Sequence, residues 1–274
     1  RVESFERELS SEQSPPLAEK GDDIDYLASR FDLMARRIVA QLDLLKHKDA
    51  QRRQLVAQVS HDLRTPLASI QGYLEALRMK HETLEAEERG RFLAVALSET
   101  HRLGRQVEEL FELAALDARE KQPDIEPFVM AELLYDVVQK HRPAAERAGV
   151  ELTISATETE SVLADIAMTE RVLDNLISNA IAHSPRNTRV ILTMSVRDGG
   201  AEITVADAGP GIRQEDLGQV FDPFYQAAGA ERTGHAGLGL AIAQRLVVLQ
   251  HGRLSAHNAN GAVFTLWLPL ASSS

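Results

Sequence analysis

The chain has 274 residues, 44% hydrophobic and 26% charged, a composition that supplies about two ordinary globular domains. Asp and Glu number 41 against 30 Lys and Arg, and the resulting net charge of −11 argues against a nucleic-acid-binding surface. With no cysteine there is no disulfide framework, thiol nucleophile or cysteine zinc site, a usage that fits a reducing compartment.

No apolar run approaches the roughly 18 residues that span a bilayer, and no signal peptide is visible. Because the sequence starts at Arg1 and not at Met, it reads as a fragment whose membrane part precedes it. Residues 10–20, carrying Pro15-Pro16, read as a non-helical connector. From Gly21 onward, Leu27, Phe31, Met34 and Ile38 recur at spacings of four, three and four, the pattern of a coiled-coil seam. The seam continues through Leu42, Leu45, Leu55, Val59, Leu63, Ile70, Leu74 and Leu77, so one long helix is expected. A polar stretch at 80–88 interrupts it, and Phe92, Ala96, Leu103, Val107, Leu110 and Ala114 restart it, which predicts a helical hairpin. Each helix leaves an apolar stripe that two hairpins in a four-helix bundle would cover, so a homodimer is expected over a hairpin packed only on its own second domain.

Residues 118–127, with Pro123 and Pro127 among charges, mark a domain boundary, after which heptads give way to alternating helices and strands. Helices are predicted over 129–147, 167–182 and about 238–250, and strands over 150–155, 189–197, 201–206, 253–257 and 262–269. Asp198-Gly199-Gly200 between two alternating runs signals a hairpin. The pattern predicts an α/β sandwich, one mixed sheet with helices on one face.

Two sets of residues carry chemistry. Residues 60–67 read Ser-His-Asp-Leu-Arg-Thr-Pro-Leu. On a helix His61 and Thr65 share a face and Asp62 stands beside the imidazole, placing a nucleophile, a base and a water-orienting hydroxyl together. Pro66 deprives the Asp62 carbonyl of its helical partner, so a bend is expected just after the cluster. By contrast, His47, His81, His101, His141, His251 and His257 lack chemically complementary neighbours in the sequence and read as surface residues.

The second set lies downstream. Asn175 and Asn179 share a helical face among apolar residues, and an amide oxygen suits Mg²⁺, although two such asparagines alone are more often capping or surface residues. Asp207-Ala-Gly-Pro-Gly211 sets a carboxylate at a strand end, where it can accept from the adenine amino group and repel the guanine carbonyl. Gly209 and Gly211 then let backbone approach a ligand closely. Phe221-Asp-Pro-Phe-Tyr225 opens a Gly- and Ala-rich stretch, 226–236, that reads as a lid. The lid ends at Gly237-Leu-Gly-Leu240, a helix start whose free N–H groups attract phosphate.

Residues 60–67 resemble the H-box of sensor histidine kinases. In their order, the downstream clusters resemble the N, G1, F and G2 boxes of the kinase catalytic domain, whose ATP fold is shared with gyrase, the Hsp90 chaperones and MutL. The segment opened by Asp22-Asp23-Ile24 looks like the second helix of a HAMP signal-relay domain, with Asp25 where a glycine is usual. The resemblance implies a helical-hairpin dimerisation domain, a four-helix bundle as a dimer, plus an α/β sandwich ATP-binding domain of the Bergerat (GHKL) type. Its boundaries would be a partial HAMP and signalling helix at 1–45, a dimerisation and phosphotransfer domain at 46–118, a linker at 119–127 and the ATP-binding domain at 128–274.

What this implies for the residues is specific. His61 would carry phosphate taken from Mg-ATP and pass it to an aspartate of a response regulator. Asp62 would be the base, and Thr65 would position water for hydrolysis of the regulator's phospho-aspartate. Asn179 would hold Mg²⁺ with Asn175 supporting it, His183 would join the nucleotide site, and Asp207, with Gly209 and Gly211, would read adenine. The backbone of Gly237, Leu238, Gly239 and Leu240 would cradle the phosphates. The expected setting is the cytoplasmic side of a bacterial inner membrane, as a homodimer.

Three positions depart from the family pattern. Ala182 replaces a basic residue, Gln226 replaces an arginine, and His235-Ala236-Gly237 stands where Gly-x-Gly begins the last motif, with Gly234 displaced by one. Arg232 or Arg186 would supply the lost charge. The departures leave open a homologue impaired in ATP binding and biased towards phosphatase or scaffold roles. The shared ATP fold leaves open a GHKL ATPase without histidine chemistry, against which residues 60–67 on a dimerising hairpin argue.

Overall fold

The computed structural model describes residues 22–79, 84–118, 121–156, 160–226 and 237–271, without the side chains of 22–29, 32, 44–45, 47–58 and 61. The residues read as a connector, 10–20, lie outside this set, as does most of the lid. The chain divides into two compact units, Arg1–Val56 and Ala57–Ser274.

The first unit contributes the N-terminal part of helix α1 (Asp22–Met79). Its apolar stripe is uncovered in a single copy: Phe31 is 71% exposed and Met34 61%, with Ile38, Val39 and Leu42 also exposed. No helix among the described residues is long and apolar enough to cross a membrane.

In the second unit, the rest of α1 and helix α2 (Ala86–Asp117) form the expected pair. Helix α1 continues through Pro66. Tyr73 and Phe92 meet edge to face, 5.3 Å between ring centres, and Leu84 is buried ahead of α2. Leu67, Leu74, Leu93 and Leu97 remain exposed on the pair.

The α/β part follows as β1 (Glu126–Val129), α3 (Met130–Ala148), β2 (Val150–Ala156), β3 (Ser161–Ala164), α4 (Ile166–His183), β4 (Thr188–Arg197), β5 (Gly200–Ala206), α5 (Gly239–Leu249), β6 (Arg253–Asn258) and β7 (Ala262–Pro269). Five strands form one mixed sheet in the order β2-β4-β5-β7-β6, with β2 and β4 parallel and the other pairs antiparallel. The β4–β5 hairpin turns on Asp198 (φ 51°) and Gly199 (φ 72°), the left-handed pair that a tight two-residue loop requires. Alternation decides the layers: Val190, Leu192, Met194, Ala201, Ile203 and Val205 are buried against the helices, while Thr193 and Thr204 pair hydroxyls on the other face. The predicted sandwich is therefore the observed fold.

Two strands escaped the sequence reading. β1 falls across the segment read as linker and the first residue read as helix, and β3 was not anticipated. Four residues are too few to display alternation, and each strand is held chiefly by the other, in a two-stranded sheet pairing Glu126 with Ala164. A further point concerns α2: its last turns, at Leu113 and Leu116, lie in one continuous buried cluster with α3, α4 and α5 residues.

Asp165 is the fastener of this region. As N-cap of α4 it accepts from the Met168 N–H at 2.9 Å through Oδ1 and from the Asp124 N–H at 2.9 Å through Oδ2. Its own N–H donates to Gln250 Oε1, which also accepts from the Thr169 hydroxyl, so the approach to β1 is tied to the start of α4 and the end of α5. Asp165→Ala should cost about 1–3 kcal/mol by removing a cap and leaving a buried N–H unpaired. Thermal unfolding checks this, with Asp165→Asn expected to lose less because it keeps one acceptor.

Candidate functional site

The Asp207 motif lies at the end of the sheet where β5 ends and β7 begins, between interior strands. Asp207 is 8% exposed. Its Oδ1 accepts from the Gly209 N–H at 2.8 Å and the Ala262 N–H at 3.0 Å, and its own N–H donates to the Ala262 carbonyl at 2.9 Å. These bonds fix the carboxylate plane and leave Oδ2 for a donor outside the loop. Gly261 is obligatory here, because a Cβ would stand 2.1 Å from the Asp207 carbonyl oxygen. A Cβ on Gly209 would likewise lie 2.6 Å from the His183 carbonyl oxygen, so the end of α4 and the Asp207 loop touch backbone to backbone.

Asn175 and Asn179 occupy one half-buried face of α4. The Asn175 Nδ2 is buried with no hydrogen-bond partner, which costs about 1–3 kcal/mol unless a ligand or water accepts from it. Its Oδ1 lies 3.4 Å from where a Cβ on Gly239 would be, so a side chain there would crowd the amide at the start of α5. The α5 N-terminus has no side-chain cap, leaving its N–H groups available to an anion. Among the described residues no cluster of three or more His, Asp or Glu side chains could hold a metal, so a cation beside Asn179 would need oxygens from the ligand. An orphaned amide, a glycine cradle and an uncapped helix start together fit a nucleotide carrying a hard divalent cation.

The two ends of the lid stretch meet. Phe224 N–H donates to the Gly237 carbonyl at 3.0 Å, and Gly237 (φ 72°) could not carry a Cβ, which would lie 2.6 Å from the Tyr225 carbonyl oxygen. Phe224 itself has φ 63°, a left-handed conformation that costs a bulky residue of order 1–3 kcal/mol. Its side chain, with Leu238, lines a small crevice against Val59, Asp62 and Leu63 of α1 and Gln106 and Leu110 of α2. The residues flanking the stretch read as a lid therefore abut the helix that carries His61. Asp62 and Thr65 lie on that helix, Asp62 half-buried and Thr65 exposed, while the His61 side chain lies outside the described part.

Ion pairs join the helical pair to the α/β part. Arg171 Nε and Nη2 both reach Glu112 Oε2, at 3.0 and 2.8 Å, and Arg245 reaches Asp117 at 2.8 Å. Beside the first pair, burial pushes the Glu109 carboxyl above its usual range, against the opposing charge of Arg171. Of the two candidates for replacing the cation missing at Ala182, Arg186 packs its side chain against Gly149 at the α3–β2 turn, and Arg232 lies outside the described residues.

His141 corrects the sequence reading. It does have a complementary neighbour: its Nε2 pairs with Asp174 Oδ1 at 2.8 Å, while Lys140 bridges Asp174 and Glu170 at 2.8 and 2.7 Å. The partners are 33 residues apart on different helices, so no spacing rule exposes the pair. It joins α3 to α4 one residue before Asn175.

Two family descriptions match the chain: the His Kinase A (phospho-acceptor) domain over residues 51–119, and the histidine kinase-, DNA gyrase B- and HSP90-like ATPase over 164–272. The sensor-like histidine kinase SenX3 of Mycolicibacterium smegmatis is 35% identical over 225 residues, covering 81% of this chain and 58% of the relative. The chain thus spans little more than half the length of that relative. The solved structure of full-length ShkA in complex with AMPPNP is 30% identical with a TM-score of 0.60, over 81% of this chain and 46% of that one. Histidine kinase ThkA, solved in complex with response regulator protein TrrA, has the same fold: TM-score 0.66 at 24% identity, over 80% and 61% of the two chains.

Burial alone would raise the Asp174 carboxyl, but hydrogen bonds from His141 and Lys140 hold it below the usual carboxylate range. A depressed folded pKa gives stability that is present above the unfolded value, about 3.9, and lost as pH falls through the folded value. Asp174→Asn should therefore cost about 1–2 kcal/mol at pH 7, allowing for the half-exposed Lys140. The gap in Tm between the two proteins should narrow below about pH 4, and thermal melts between pH 7 and 3 measure it.

Proposed function

The chain belongs to the sensor histidine kinase family, and from that premise we propose that it transfers the γ-phosphoryl group of Mg-ATP to His61. The adenine amino group donates to Asp207, the phosphates lie over the Gly237–Leu240 backbone, and Asn175 donates its unpaired Nδ2 hydrogen into the site. Mg²⁺, held by Asn179, would neutralise phosphate charge. A ring nitrogen of neutral His61 attacks the γ-phosphorus, the bond to the β–γ bridging oxygen breaks and ADP leaves, while Asp62 accepts the proton of the other ring nitrogen. The phosphoryl group then passes to an aspartate of a response regulator, a partner class supported by the ThkA–TrrA complex. Thr65 positions water for the reverse, phosphatase role.

The observation that carries this reading is the crevice in which the lid's end residues, Phe224 and Leu238, face Asp62 and its helix. It links the nucleotide site to the segment bearing the phosphoacceptor. The uncovered apolar stripes on α1 and α2 support a homodimer in which two hairpins make one bundle. The HAMP assignment, the domain limits and a membrane anchor N-terminal to this chain belong to the same proposal, with the described part on the cytoplasmic side.

Incubation with γ-labelled ATP and Mg²⁺ tests it. The expected label is acid-labile and base-stable, and it is lost in His61→Gln. Label that survives that substitution would mean transfer to a residue other than His61. No label from a protein that binds ATP would favour a phosphatase or scaffold homologue, or, if free phosphate is released, an ATPase without histidine chemistry.

A further inference from the structure

We propose that Asn258 is a positioning residue for nucleotide binding, holding the loop that presents Asp207. The inference rests on the ATP-binding reading above. Asn258 ends β6 and lies 46 residues from the loop, yet its side chain grips one residue there with both groups. Its Oδ1 accepts from the Ile212 N–H at 2.8 Å, and its Nδ2 donates to the Ile212 carbonyl. The other end of the loop is held by Asp207, through Ala262. Residues 207–212 are thus fastened at both ends to the β6–β7 turn.

The clamp also accounts for a glycine in the motif. Gly211 has φ 74°, and a Cβ on it would stand 2.9 Å from Asn258 Oδ1. A side chain at 211 would suffer a strained backbone and displace the amide. A primary amide offers a donor and an acceptor side by side to match one residue's carbonyl and N–H, whereas a carboxylate in its place would set lone pairs against the Ile212 carbonyl. A loop fixed before the ligand arrives loses less freedom on binding, so Asn258 should act on nucleotide affinity and leave the rate at saturating ATP unchanged.

The carboxylic acid form of aspartate has one donor and one acceptor, like the amide, and this separates the clamp from ordinary packing. Facing a carbonyl, that acid form is favoured and its pKa raised, so binding lost at high pH should return as pH falls through the raised value. Mg-ATP titration calorimetry on the full chain at pH 8 and pH 5 should show Asn258→Asp about tenfold weaker than the unsubstituted protein at pH 8 and within about threefold of it at pH 5. Asn258→Ala should be weakened by about threefold to tenfold at both pH values. Its Ile212 amide should exchange hydrogen faster than in the unsubstituted protein.

Affinities within twofold of the unsubstituted protein for both variants at pH 8 would overturn the proposal. A loss in Asn258→Asp that is equal at the two pH values would overturn it as well. Should Asn258→Asp not fold at pH 8, Asn258→Ala decides: unchanged exchange at Ile212 would contradict the clamp. If the unsubstituted protein bound no ATP, the parent reading would fail, and the exchange measurement would still test whether Asn258 fastens the loop.

Discussion

A buried carboxylate with one oxygen committed to backbone is the constraint around which the proposed nucleotide site is arranged. Asp207 is held by the N–H groups of Gly209 and Ala262, and that geometry exists only because Gly261 and Gly209 admit contacts that no Cβ would allow. Taking an ionisable group out of water is costly unless its hydrogen bonds are satisfied, so a site that keeps one oxygen unused by the loop is poised for a donor. The end of α4, the end of β5 and the start of β7 are drawn together at this point, which brings the asparagine face of α4 and the start of α5 into the same site.

The second organising feature is the way the helical pair is attached. Leu113 and Leu116 of α2 are buried with the α/β core, and Arg171–Glu112 and Arg245–Asp117 flank them. The strength of this attachment resides mainly in the apolar burial, since Arg245 and Asp117 are 41% and 50% exposed and such a pair contributes little. Movement of the α/β part towards or away from His61 would have to uncover those leucines. The left-handed Phe224, wedged at the lid end against α1 and α2, places backbone strain at the same junction.

Most of the architecture was legible in the sequence because its signals are local. Heptads revealed α1 and α2, the alternation around Asp198-Gly199 revealed the β4–β5 hairpin, and the long apolar helices α4 and α5 announced themselves by period. What stayed hidden depends on distant partners. β1 and β3 are too short to alternate, His141 acquires its meaning from Asp174 on another helix, and Asn258 acts on a residue far from it in sequence. In α2 one helix serves two surfaces: Leu93 and Leu97 face outward, while Leu113 and Leu116 join the α/β core, and a single heptad pattern cannot separate the two duties. The site motifs could be read as a set, but the unpaired Asn175 amide and the backbone contacts at Gly209 and Gly261 are visible only in three dimensions.

The central claim is that Asp207 makes this an adenine-reading site, and nucleotide discrimination tests it most directly. Calorimetric titration with Mg-ATP and Mg-GTP should show ATP bound at least about tenfold more tightly, the effect of one well-placed hydrogen bond to a charged group. Asp207→Asn keeps an acceptor for Gly209 and Ala262 but offers the base a donor, so its preference should collapse or turn towards GTP. Equal affinity for the two nucleotides, or an unchanged preference in Asp207→Asn, would contradict the account.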